Sequence, residues 1–245
     1  MDSVYLYDDW YRPITSAQWD AIIIRANWLC DHWDQPDEGI WETRGGRKKF
    51  LYSQLMCWVA MERSVRLANR RGLPADLERW RKARDAIYQR IMDRGWSARL
   101  QAFAQYEGGD VLDASVLLMP LVKFIAPTDP KWLSTLDALT ANLVSDSLVY
   151  RYDPMASPDG VRGEEGTFSA CSFWYVEALT RAGPPGRGPA GVREDAHLRQ
   201  PRRPVRRANW PDRRSARQLP AGTDAPRAYQ RCVQPRPRSW LTMTT

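Results

Sequence analysis

A carboxylate and an indole stand side by side in the stretch Pro36-Asp37-Glu38-Gly39-Ile40-Trp41-Glu42, just ahead of a long helical pattern. Cleaving a glycosidic bond takes an acid that protonates the leaving oxygen, and a flat ring on which a pyranose can stack. Trp41 and Glu42 supply one of each on a loop. Asp37 and Glu38 bracket that loop and are assigned no chemistry. The run Arg44-Gly45-Gly46-Arg47-Lys48-Lys49 contains a Gly pair, but no phosphate-loop pattern follows it, so it reads as a flexible basic turn. Metal chemistry has little to work with. There are only two His (His32, His197), and the four Cys (Cys30, Cys57, Cys171, Cys232) include no CxxC pair. That argues against a zinc site and a disulfide framework, fits a reducing cytosol, and leaves no cofactor expected.

The elements that must position these residues read as helices over residues 1–183. Ser16 is the expected N-cap of a first helix, with Trp19, Ile22, Ile23, Ala26 and Leu29 along one face. A second runs from Phe50 to Asn69 with Leu51, Leu55, Trp58, Met61 and Val65 at helical spacing, and Gly72 stops it. Pro74 is the expected start of a third, which reaches Asp93 and carries Leu77, Trp80, Ala83, Ile87 and Ile91 on one side. Asp113 caps a fourth that ends at Leu121, and Asp129-Pro130 opens a fifth toward Leu143. The sixth spans Thr167 to Arg181 and closes at Gly183. Only Leu148 to Tyr152 looks like a strand. Periodicity alone therefore gives an all-α chain of helix pairs. The longest apolar run, Val116 to Val122, contains Pro120 and is too short to span a bilayer. The first residues, Met1-Asp2-Ser3-Val4, lead into no apolar signal core. No membrane partner and a cytoplasmic location are expected, and no oligomeric state is assigned.

The net charge of +7 is unevenly distributed. Residues 184–245 hold fourteen Arg, no Lys and four acids (Glu194, Asp195, Asp212, Asp224), whereas residues 1–183 are slightly acidic. The same tail contains ten Pro and no periodic apolar face, so it reads as a disordered extension. Twelve Trp suit either sugar stacking or a Trp-heavy helical core.

Taken with Glu164-Glu165-Gly166-Thr167-Phe168-Ser169-Ala170-Cys171-Ser172-Phe173-Trp174, the Trp41-Glu42 loop resembles glycoside hydrolase family 15, the family of glucoamylases and their bacterial α-glucosidase and trehalase relatives. The resemblance covers residues 1–183 and implies part of an (α/α)6 toroid of the six-hairpin glycosidase type, incomplete at both ends. It implies inverting hydrolysis of an α-glucoside or trehalose, with Glu42 as general acid and no metal. Ile40 and Trp41 would meet the sugar. Tyr150-Arg151-Tyr152-Asp153 resembles the segment whose Arg grips a sugar hydroxyl, a task suited to a planar guanidinium, although pairing with Asp153 or Asp159 would equally explain Arg151. Glu164 and Glu165 either favour the dipole of the helix behind them or, Glu165 in particular, line the cleft. Trp174 aligns with an aromatic near the substrate or belongs to the core.

Two family features have no counterpart here: the general base, in a segment well beyond the EGTF helix, and the Arg-Asp clamp upstream. The chain as written is therefore expected to be inactive. The alternative is a non-catalytic helical binding module whose basic tail binds nucleic acid through phosphates; no nucleic acid is expected on residues 1–183. Fourteen Arg beside no Lys is unusual for a phosphate-binding tail but normal for GC-rich DNA read out of frame. Shifting the frame by one base near Gly183, with GC-rich codons, permits a helix-patterned continuation. It carries a Tyr-Ala-Glu-Gln-Ile-Gly segment resembling the base region, with its Glu encoded across the codons of Arg207 and Ala208. Resequencing the genomic DNA from codon 175 past codon 245 is expected to show one base fewer near Gly183 and to open that frame; the present frame, if found again, makes the basic tail real.

Overall fold

A computed structural model of the chain describes residues 1–42, 45–153 and 166–183. Seven helices dominate: α1 (Asp2–Trp10), α2 (Ser16–His32), α3 (Leu51–Arg71), α4 (Leu77–Arg94), α5 (Leu118–Leu121), α6 (Pro130–Leu143) and α7 (Ser169–Ala182). Two short antiparallel ribbons interrupt them. One joins β1 (Trp96–Ser97) to β2 (Ala102–Phe103), and the other joins β3 (Val144–Ser145) to β4 (Leu148–Val149). The second turns through Asp146 and Ser147, both with positive φ, the geometry that matches the right-handed twist of its strands. The Arg/Pro-rich tail, 184–245, lies outside the described residues, as does the expected pair Glu164 and Glu165.

The helix faces fall where the apolar spacing puts them. On α3, Leu51, Leu55, Trp58, Met61 and Val65 are all buried, and Gly72 ends the helix in a left-handed conformation. On α4, Trp80, Ala83, Ile87 and Ile91 face inward. These two helices pack on each other more extensively than any other pair, with α2 lying against both. Trp19 of α2 meets Trp80 edge-on at 5.8 Å, and each indole finds a partner, Pro74 O for Trp19 and Asn27 Oδ1 for Trp80.

Several helix starts differ from expectation. The cap of α2 is Thr15, not Ser16: its hydroxyl accepts from Gln18 N while the Gln18 side chain returns to Thr15 N, a reciprocal capping box. Helix α4 begins after Asp76, not at Pro74, because the Asp76 carboxylate accepts from Arg79 N. Asp113 caps a single 3-10 turn (Ala114–Leu117) that runs into the short α5, so Pro120 sits in a four-residue helix rather than in a long one. The expected strand at 148–152 is a ladder only at β4; Tyr152 continues it as an isolated bridge to Asp113. Helix α1 rests Val4 and Tyr5 on the core and is also held to α3 by charge. Asp8, nearly sealed from solvent, pairs with Arg70 at 2.6 Å and also accepts from Ile14 N.

One ion pair braces the loop between β2 and the 3-10 turn. Glu107 receives both arms of Arg90, at 2.7 and 2.8 Å, and a further bond from Gln54 Nε2. Burial raises the Glu107 pKa, but the bonds from Arg90 and Gln54 outweigh it and leave it below the usual carboxylate range. A carboxylate whose pKa is lower folded than unfolded stabilises the fold above its unfolded value, and that contribution fades as pH falls through the folded one. Glu107→Gln should therefore cost about 1–3 kcal/mol near neutrality and flatten the acid limb of a pH–stability curve followed by urea melts; an unchanged acid limb counts against this account.

Candidate functional site

The loop carrying Trp41 and Glu42 connects α2 to α3 and is closed at its base. Asp37 and Lys48 exchange both backbone hydrogen bonds at 3.0 Å, and Glu38 pairs with Arg47 at 3.1 Å across the same base. The Asp37 carboxylate turns back to accept from Gly39 N at 3.1 Å, an Asx turn. The expected flexible basic turn is thus tied down over 47–49. Lys49 O accepts from Glu107 N, and Lys48 Nζ lies 4.0 Å from the Tyr106 ring centre. Thr43 and Arg44 lie outside the described residues.

Trp41 reaches inward from this loop. Its indole N–H donates to both oxygens of Asp113, at 3.0 and 2.9 Å. Around its ring stand Phe168 edge-on at 5.8 Å, and Tyr152 and Trp174 tilted at 6.4 Å each. The Arg151 guanidinium lies 5.3, 5.5 and 5.8 Å from the centres of Trp41, Tyr152 and Phe168. The Trp41 loop thus meets two segments more than a hundred residues further along the chain, Arg151-Tyr152 and Phe168 to Trp174, at one aromatic surface with a cation over it. Such a surface can stack a sugar ring and offer N–H donors to its hydroxyls.

Backbone bonds fix the arrangement. Ala114 N donates to Arg151 O at 2.8 Å, and Phe168 N donates to Val149 O at 2.8 Å. Val149 N donates to the Ser172 hydroxyl of α7 at 3.0 Å. Asp113 itself is buried, and besides Trp41 it accepts from Ser115 N at 2.7 Å and Gln105 Nε2 at 3.0 Å. Burial pushes its carboxyl up, against the pull of the bonds from Ser115, Gln105 and Trp41. Because N–H donors address both oxygens, the ionised form is the one this geometry accommodates. Cys171 lies in the same neighbourhood; burial and then the Asp113 charge push its thiol up to about 12, so it is a packing residue and no nucleophile.

Of the residues singled out from sequence, Trp41, Arg151 and Trp174 come together, and Ile40 is half-buried in the same loop. Glu42 follows Trp41 but is exposed, with its backbone in the left-handed region at φ +49. Among the described residues, nothing shields the Glu42 carboxyl from water. Glu165 lies outside them. Sequence reasoning treated Asp113 as a helix cap alone and left out Gln105, Tyr152 and Phe168. No local signal marks Asp113, whose indole partner is 72 positions away. Among the described residues no three His, Cys, Asp or Glu gather as a metal site, and no helix is long and apolar enough to cross a membrane.

A sequence profile described as "Glycosyl hydrolases family 15" matches residues 1–187. A trehalase of Mycobacterium tuberculosis (strain ATCC 25618 / H37Rv) is 40% identical over 187 residues, 76% of this chain and 27% of the relative. A trehalase of Mycolicibacterium smegmatis (strain ATCC 700084 / mc(2)155) is 39% identical over 183 residues, covering 75% and 27%. The chain thus spans about a quarter of the length of these relatives. Among solved structures, a glycosidase in complex with glucose superposes with a TM-score of 0.57 at 18% identity, over 65% of this chain and 41% of that one. This likeness shows the fold: the described helices form part of an all-α glycosidase toroid.

Gly39 tests whether the loop's seat is tight. Its φ is +67, and a Cβ there would stand 2.8 Å from the Phe50 ring, so both backbone and packing demand glycine. Gly39→Ala should destabilise the fold by about 2–4 kcal/mol through left-handed strain and overpacking. An unchanged urea midpoint would mean that the loop does not rest on Phe50.

Proposed function

Because the chain belongs to glycosyl hydrolases family 15, we propose that residues 1–183 are the acid-bearing part of an inverting hydrolase of α-glucosidic bonds. The observation that carries this reading is the half-buried Trp41 ring, flanked by Phe168, Tyr152 and Trp174 and approached by Arg151, directly before Glu42. In this proposal a glucose ring stacks on Trp41 beside Ile40, Arg151 donates to its hydroxyls, and Glu42 delivers a proton to the glycosidic oxygen. A sugar seated on the ring excludes water from the neighbouring carboxyl, the setting a proton donor needs. Glu165 is proposed to line the same cleft. Trehalose is the first substrate to try, since both relatives described above are trehalases. The free thiols Cys30, Cys57 and Cys171 support a cytoplasmic setting.

Inversion requires a second carboxylate about 6.5–9.5 Å from the first to activate water. We assign it to the reading frame displaced after Gly183, and the 1–187 limit of the family match supports a change of sequence character there. Residues 184–245 are then out-of-frame translation, not a domain with its own ligand. A polypeptide of these 245 residues, lacking the base, should release no glucose from trehalose or maltose, and turnover at a rate usual for glycosidases overturns that. It should still bind: tryptophan fluorescence is expected to respond to trehalose, and Arg151→Ala to weaken the apparent affinity about tenfold or more, the loss of a hydrogen bond from a charged group. A folded protein whose fluorescence ignores both sugars would instead be a structural helical module.

A further inference from the structure

We propose that Asp113 is a positioning residue for the acid loop: its buried carboxylate fixes the indole of Trp41 and, through it, the left-handed turn at Glu42. Its catalytic meaning rests on the function proposed above; the geometry does not. Capping a single 3-10 turn needs one oxygen on one N–H, which the Ser115 bond already supplies. Asp76 does the same service for the much longer α4 from an exposed position. Burying Asp113 to 2% exposure goes beyond what a cap requires, and a sealed carboxylate survives only if more donors reach it.

The donors that do reach it come from the site. Both oxygens receive the Trp41 N–H, which holds the indole plane between them and sets the direction of the ring, not only its depth. The Gln105 side chain supplies another N–H to the same carboxylate, while its main-chain carbonyl accepts from Leu51 N at 2.9 Å, where the acid loop ends and α3 begins. One buried anion is therefore tied to the middle of the loop through Trp41 and to its exit through Gln105. Its backbone reaches the third segment as well, bridging to Tyr152 while the next residue bonds to Arg151 O. Glu42 needs such support: a residue with a side chain at φ +49 holds that conformation only when its neighbours are fixed.

The test is made on the full chain labelled with 15N, with Trp41→Phe assigning the Trp41 indole among the twelve. In the unmutated protein the Trp41 N–H should exchange with deuterium at least about 100-fold more slowly than that of Trp10, which is 82% exposed. Asp113→Asn keeps the shape but leaves one acceptor oxygen. It should move the Trp41 indole proton upfield, speed its exchange at least about tenfold, shift the Glu42 amide, and weaken trehalose binding by a similar factor. The Trp19 and Trp80 indoles, bonded elsewhere in the core, should stay in place. Equal exchange at Trp41 and Trp10, or an Asp113→Asn protein with Trp41 and Glu42 unmoved, overturns the proposal. Should Asp113→Asn fail to fold, Gln105→Leu leaves the carboxylate and its cap in place and must still loosen Trp41; no change there overturns it too. If Trp41 and Glu42 respond but the wild-type protein ignores trehalose, positioning stands and the sugar-cleaving reading falls.

Discussion

A carboxylate removed from water must be surrounded by donors or give up its charge, and Asp113 meets that demand by drawing together parts of the chain remote in sequence. Trp41, Gln105 and Ser115 all converge on it. The Ser115 bond is a local cap, whereas Trp41 reaches the same carboxylate across 72 positions. The Trp41 contact closes a long loop, which is entropically expensive unless the helices have already brought the segments near. The buried faces of α2, α3 and α4 do this by burying apolar area. The core therefore provides the proximity, and the anion provides the direction.

This division of labour accounts for the two kinds of interaction around the candidate site. Below it, Trp80, Ile87, Ile91 and Trp132 are fully enclosed and contribute through area and close packing. At the site itself, the aromatic rings of Trp41, Tyr152, Phe168 and Trp174 are graded from buried to exposed, and Arg151 lies over the first three. A groove of about 290 Å³ between α2 and α3, lined by Met1, Ile22, Trp28 and Leu29 among others, is almost wholly apolar. It offers no acid and no guanidinium fork aimed at hydroxyls beyond Arg25, and it shares no residue with the Trp41 cluster. A concave shape alone does not make it the site of chemistry.

The helices were legible because burial imposes a period. Leu51, Leu55, Trp58, Met61 and Val65 announce the inward face of α3 without any knowledge of a partner, and Gly72 announces its end. The starts were less legible, since capping is a competition between adjacent polar residues: Thr15 wins over Ser16 because Gln18 can reciprocate, and Asp76 wins over Pro74 because its oxygen reaches Arg79 N. At the candidate site the sequence offered Trp41, Arg151 and Trp174 through family resemblance, whereas their meeting point could not be read. An Asp before Ala-Ser looks like a cap whether it is exposed or sealed, and only the fold brings an indole from 72 positions away to use its other oxygen. Tyr152 and Phe168 were hidden for a similar reason, having the composition of an ordinary strand end and helix start.

The backbone pairing of Asp37 with Lys48 has an evolutionary side. It joins the two ends of the loop directly to each other. Functional loops carried on rigid scaffolds tolerate insertions, deletions and substitutions at the tip. Sequence changes between Trp41 and Arg47 can thus alter what the loop presents while the helices that carry it stay as they are. Gly39, Trp41 and Phe50 tether the loop, and they are the positions where drift would be least tolerated.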